Sequence, residues 1–190
     1  MIARRKEADV DVKILIQRTP NPYARKFIVN HDVKTDGKIT FNDANECRHV
    51  PLALALISLP SVSQVHFFEN VITVTQNGQN DWELLEGMVK EVIVSLFPQH
   101  NPAFVSAEEV RRQTLSPELK QIEEILDNSI RPFLQGDGGD LEVLSLRDNQ
   151  LTIRYEGACG TCPSSAGATL EAIESILRDE FDPEITVVPM

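Results

Sequence analysis

Two thiols, Cys159 and Cys162, stand three positions apart in Cys159-Gly160-Thr161-Cys162-Pro163, and they are the side chains best spaced in this chain for chemistry. The segment before them, Leu151-Thr152-Ile153-Arg154-Tyr155, alternates apolar and polar residues and reads as a strand. Beyond Pro163, the residues Ala166, Leu170, Ile173, Leu177 and Phe181 recur at helical spacing. Proline suits the first helical position, because the N–H it lacks would be an orphan there. Cys162 then falls near the N-cap, and both thiols feel the positive end of the helix dipole. That field favours thiolate, the form that binds metal or attacks a disulfide.

Several chemistries compete for such a pair. Cysteines can be buried simply as small apolar residues, which is the common fate of a lone one. A thioredoxin-like dithiol also sits between a strand and a helix. That fold needs further strands and a cis-proline loop after the motif helix, and here only Glu184 to Val188, Pro189 and Met190 remain. A thiolate metal site, for zinc or an iron–sulfur cluster, wants four ligands, and this half of the chain offers two. It has no histidine, since His31, His49, His66 and His100 all lie before residue 107. A second copy of the motif across a two-fold axis supplies the missing pair and makes an isologous dimer. A cluster held at such an interface has separable walls and can be handed on. Four thiolates would accept zinc too, so the spacing leaves a zinc-structured interaction module and a dithiol-disulfide oxidoreductase open as alternatives.

The chain has 190 residues, enough for one large domain or two small ones, and carries a net charge of −11. The charge is uneven: residues 1–106 hold 11 Lys/Arg against 12 Asp/Glu, whereas residues 107–190 hold 7 against 17. So acidic a half is a poor partner for phosphate backbones or anionic lipid, so neither nucleic acid nor membrane is expected. There is also no apolar run of about 18 residues that could span a bilayer. Three cysteines are no disulfide framework, which suggests a reducing compartment. Arg4, Arg5 and Lys6 lack the apolar stretch of a secretory signal, and Glu7, Asp9 and Asp11 argue against a transit peptide. The expectation is a bacterial cytoplasmic protein.

The elements that must position the thiols follow from periodicity. Strands are expected over Lys13–Gln17, Lys26–Val29 and Lys38–Phe41, then a buried helix over 48–58 that Pro60 ends. Val62–Phe68 and Val71–Gln76 form a hairpin. A helix over 82–97 follows, capped by Asp81, with Trp82, Leu85, Val89, Val92, Ile93 and Leu96 on one stripe. Residues 99–115 read as a linker, in which Ser106 and Glu109 could cap a short helix. Ser116-Pro117 opens a helix carrying Leu119, Ile122, Leu126, Ile130 and Phe133, which Arg131-Pro132 closes. Strands 141–147 and 150–156 lead to the thiols, and Glu184–Val188 ends the chain. This predicts an α+β protein of two small domains, 12–98 and 116–190, each a short, mostly antiparallel sheet with helices on one face. Cys47 and His49 are two apart, wrong for one helical face, and read as structural. Asp137 and Asp140 in Gly136-Asp137-Gly138-Gly139-Asp140 read as loop-formers, since nothing nearby completes a catalytic set.

Residues 116–190 resemble the C-terminal domain of NifU-like proteins, the Nfu-type iron–sulfur cluster scaffolds. The resemblance rests on Ile130-Arg131-Pro132-Phe133-Leu134, Asp137-Gly138-Gly139-Asp140 and Gly157-Ala158-Cys159-Gly160-Thr161-Cys162-Pro163-Ser164-Ser165. Residues 13–98 resemble the N-terminal domain of the same proteins through Thr19-Pro20-Asn21-Pro22, Lys26-Phe27 and the Trp82 helix. The resemblance implies a carrier rather than an enzyme. A [4Fe-4S] cluster, with [2Fe-2S] as the other type, would bridge two subunits through Cys159 and Cys162 of each. It would arrive from an upstream donor and pass to apo iron–sulfur client proteins, with the homodimer present at least when loaded. The nitrogen-fixation member of the family has two further cysteine-bearing regions that this chain lacks, which favours late delivery over assembly. Client recognition falls to the N-terminal domain.

Overall fold

The computed structural model describes residues 11–160 and 166–190; Cys162, Pro163 and the helix start expected there lie outside them. The first sheet is built from β1 (Ile14–Arg18), β2 (Ala24–Val29), β3 (Lys38–Phe41), β4 (Val62–Phe68) and β5 (Val71–Gln76). Their order is β1-β2-β5-β4-β3, every neighbour antiparallel. Alternation gives this sheet two unlike faces. Phe27, Ile72 and Phe67 pair across β2, β5 and β4 on one face, where they join the first core. Shifted by one residue, Lys26, Thr73, His66 and Thr40 form the corresponding row on the other.

Two helices cover the apolar face. α1 (Pro51–Ile57) buries Leu52, Ala53, Leu56 and Ile57. It is shorter than expected, because Pro51 stands in its first turn and keeps Val50 before it out of the helical conformation. α2 (Trp82–Leu96) turns Leu85, Val89 and Ile93 inward, with Asp81 at its N-cap accepting from the Glu83 amide at 3.1 Å.

A 3₁₀ turn at Phe97–Gln99 and α3 (Ala107–Gln113) occupy the stretch expected as a linker. Ser106 and Glu109 form a reciprocal capping box. Glu109 also pairs with Lys34 at 3.1 Å, while Arg111 reaches Glu142 at 3.4 Å and Arg112 reaches Asp127 at 2.7 Å. The connection is therefore clasped from both sides.

The second unit comprises α4 (Pro117–Ser129), α5 (Arg131–Gly136), β6 (Gly139–Arg147), β7 (Gln150–Gly157), α6 (Ala166–Glu180) and β8 (Thr186–Pro189). Its sheet runs β6-β7-β8, the first pair antiparallel and the second parallel. Asp148 and Asn149, both at positive φ (48° and 58°), make the tight β6–β7 turn. Ile122 and Leu126 of α4 and Ile173 and Leu177 of α6 close over Leu141, Val143, Leu151 and Ile153. The fold is thus α+β in two domains, as the element pattern predicts.

Two expectations in this domain are overturned. Phe133 does not continue the apolar stripe of α4 but is 75% exposed. Pro132 cannot supply the amide that would continue α4, so the chain restarts as α5 and Phe133 turns off the core. Arg131 does more than end a helix. At 3% exposure it sits among Glu123 (2.7 Å), Asp140 (3.1 Å) and Asp127, and it donates to the Leu141 carbonyl. Burial alone would lower its pKa, but these carboxylates raise it instead.

Candidate functional site

β7 delivers Cys159 through a tight turn: Gly157 takes φ +58°, and the Cys159 amide donates back to the Glu156 carbonyl at 3.3 Å. Facing this turn is the glycine loop before β6, whose Gly138 carbonyl accepts from the Ala158 amide at 3.1 Å. A Cβ at Gly139 would collide with Cys159 Sγ and come within 2.7 Å of its amide nitrogen. Glycine is required there because the start of β6 lies directly against the thiol. Cys159 is 7% exposed and belongs to the second core. Burial, then the nearby Cys159 charge, pushes the Tyr155 phenol up to about 12.

The first domain presses on these same two loops. Asn21, itself buried, donates from Nδ2 to the Ala158 carbonyl at 2.9 Å, one residue before the thiol. Lys26 Nζ donates to the Gly136 carbonyl at 2.5 Å. Lys38 is 5% exposed and pairs with Glu156 at 2.6 Å and Asp140 at 3.2 Å, while also donating to the Leu141 carbonyl. Burial pushes the Glu156 and Asp140 carboxyls up, but Lys38 leads the charges that more than reverse this, so both stay below the usual carboxylate range. His66 bonds through Nδ1 to Thr40 Oγ1 at 2.8 Å. Burial lowers its pKa against the pull of Glu156 and Asp140, leaving the ring neutral at pH 7.

Of the residues singled out by the sequence, the structure places Cys159 in the second core, one residue beyond the Ala158 carbonyl that Asn21 holds; Cys162 lies outside the described residues. Asp140 is not merely a loop-former, because it is fully buried between Lys38 and Arg131. Cys47 is buried in the first core, where Sγ donates to the Asp43 carbonyl at 3.2 Å and burial raises the thiol pKa. His49 is exposed, edge-on to Phe41 and Phe104. Asn21, Lys38 and His66 went unnoticed as parts of the site. Lys38 and His66 are signalled by polar side chains on the strand face opposite the core, which ordinarily means water, and Asn21 by its place in the Thr19-Pro20-Asn21-Pro22 turn before β2. Among the described residues no set of three or more His, Cys, Asp or Glu could hold a metal ion. A thiolate site built on Cys159 therefore needs ligands from beyond these residues, as a paired motif would provide. Among the described residues, too, no helix is long and apolar enough to cross a membrane.

The class of protein is thus one of two α+β domains in contact, with a cysteine turn at the end of the second domain's central strand. The family described as scaffold protein Nfu/NifU N terminal matches residues 14–100, and the NifU-like domain matches residues 122–188. The chain belongs to the Nfu-type, NifU-like proteins. It is similar to "NFU1 iron-sulfur cluster scaffold homolog, mitochondrial" of Homo sapiens, with 32% identity over 87% of this chain and 66% of the relative. "NifU-like protein 5, mitochondrial" of Arabidopsis thaliana is 28% identical over 86% of this chain and 62% of the relative. The chain thus spans a little under two thirds of the curated relatives it matches. A solution structure of a NifU-like protein from Saccharomyces cerevisiae aligns with 56% of this chain and 94% of its own, at 15% identity and a TM-score of 0.46, too loosely to add to the fold described above.

The expected bacterial cytoplasmic location is corrected by these relatives, which are mitochondrial proteins by name and point to an organelle instead. Composition and thiol content speak to a reducing environment, which several compartments share, so they could not tell one from another.

Proposed function

We propose that this protein carries an iron–sulfur cluster on Cys159 and Cys162 and delivers it to apo-proteins. The observation that carries the reading is the place of Cys159: at a glycine-shaped turn after a core strand, within the stretch that matches the NifU-like domain. Relatives named as iron–sulfur cluster scaffolds support it. The cluster is cargo, [4Fe-4S] in type, bridged by the two cysteine pairs of a homodimer. Each transfer step is a ligand exchange without redox change. A client thiol takes an iron site as thiolate, and the displaced carrier thiolate accepts its proton. No turnover chemistry is needed, so the protein is not an enzyme. Residues 12–98 and 116–190 act as the two working units, joined by 99–115. The first contributes no ligand and recognises clients, and an upstream donor loads the second.

Anaerobic reconstitution with iron and sulfide tests this, read by iron count, Mössbauer spectrum and sizing column. About four irons per dimer are expected, lost in Cys159→Ala and in Cys162→Ala, and transferable to an apo-enzyme. Iron that never binds, or that binds the variants equally well, would overturn the reading. Tightly held zinc in place of iron would instead make the paired motif a structural module.

A further inference from the structure

The described contacts leave one surface that the carrier chemistry does not use: the polar face of the first domain's sheet. We propose that this face is a docking surface for the second domain's own cysteine loop, holding Cys159 shut in the apo protein and releasing it when two copies meet on a cluster. The release half of this proposal rests on the carrier reading above.

An antiparallel sheet with helices on one face ordinarily shows its polar face to water. Here that face is covered. Lys38, His66, Thr73 and Thr75 are 5%, 2%, 1% and 1% exposed. The cover is made of the two loops that surround the thiol, residues 136–140 and 156–158, through Lys26, Lys38 and Asn21 as described. The shapes match as well as the charges. A Cβ at Gly138 would meet Lys26 Cγ at 2.7 Å, and one at Gly157 would come within 3.2 Å of the His66 ring. Both loops therefore carry glycine where side chains of the other domain press on them. The charges complement too, since two lysines of the first domain meet the acidic half of the chain.

The same contact is built to part. Its buried His66 Nε2, Thr73 Oγ1 and Thr75 Oγ1 find no hydrogen-bond partner among the described residues. Hydrating such groups on opening offsets part of the loss of the ion pairs. Contacts of this polarity between domains normally permit relative motion. In this arrangement Cys159 is 7% exposed, packed in its own domain's core and one residue beyond the carbonyl that Asn21 holds. Parting the loops from the first domain frees the backbone on which the thiol sits, and on this inference that step precedes sharing of a cluster.

The docking half can be tested without iron. In the full-length apo chain carrying Cys47→Ala and Cys162→Ala, Cys159 is the reporter thiol, and its rate of maleimide alkylation is followed by mass spectrometry. The parent should react at least about tenfold more slowly than the urea-unfolded chain, as a locally closed site does. Lys38→Glu should recover most of that factor without altering the helical circular dichroism, Asn21→Ala should recover less, and Lys38→Glu with Glu156→Lys should return towards the parent. Equal rates in parent and Lys38→Glu, or a parent as reactive as the unfolded chain, would overturn docking. In the protein with all three cysteines, Lys38→Glu should also take up iron and sulfide faster. A chain that binds no iron while the alkylation pattern holds overturns the carrier reading alone and leaves docking supported.

Discussion

The two faces of the five-stranded sheet come from the same strands, and both are buried, yet they are different kinds of contact. On one, Phe27, Ile72 and Phe67 meet the helices in a continuous apolar core, with Phe67 edge-on to Phe41 at 5.8 Å between ring centroids. On the other, one residue out of register, lysine, threonine and histidine meet carboxylates and carbonyls. Apolar burial is stable because water has nothing to offer the exposed surface. A polar contact competes with hydration at every group, so its net strength is small and depends on each partner being present. The first face makes the domain; the second makes an arrangement of domains.

The largest expected effect lies on the apolar side. Phe67→Ala should destabilise the first domain by about 3–5 kcal/mol through lost transfer energy and a cavity, seen as a lower denaturant midpoint for that domain's unfolding. A variant that left the midpoint in place would mean that this face is not a packed core. Somewhat smaller, Arg131→Met should lower the second domain's stability by about 3 kcal/mol, because it strands buried Glu123 and Asp140, although Arg112 and Lys38 remain beside them. Denaturant unfolding followed by second-domain hydrogen exchange would measure it.

Smaller still is a pH effect confined to the polar face. His66 has a pKa below its ordinary 6.5 when buried, so the closed arrangement binds fewer protons than the open one. Closure is then fully favoured above 6.5 and weakens as the pH falls below it, down to the buried value. Glu156 and Asp140 also sit below their ordinary 4.5 and 3.8, so their contribution is lost only in more acid solution. Interdomain energy transfer between labelled domains should fall between pH 7 and 5 in the parent and stay flat in His66→Gln. Tightening on acidification would contradict the placement of His66.

Much of the fold was legible because local rules set it. The alternation of Val62–Phe68 and Val71–Gln76 marks a hairpin whether or not a second domain exists, and the stripe from Leu85 to Ile93 marks a helix face. Cys159 could be singled out because a CxxC pair between a strand and a helix is rare without a purpose. Arg131 and Phe133 depart from the pattern for one shared reason. Pro132 signals a break, but not the direction in which the chain restarts, so the arginine turned inward and the phenylalanine outward.

By itself, then, the sequence determined the elements, their apolar faces and the pair of thiols, since these depend on neighbours within a few residues. Only the tertiary structure decided that Thr73 and His66, at the middle of the polar row from Lys26 to Thr40, and Lys38 beside it are buried rather than wet. A polar strand face looks the same in sequence whether it meets water or a partner's carboxylates. What distinguishes the two is contact between Lys38 and Glu156, which are 118 residues apart in the chain.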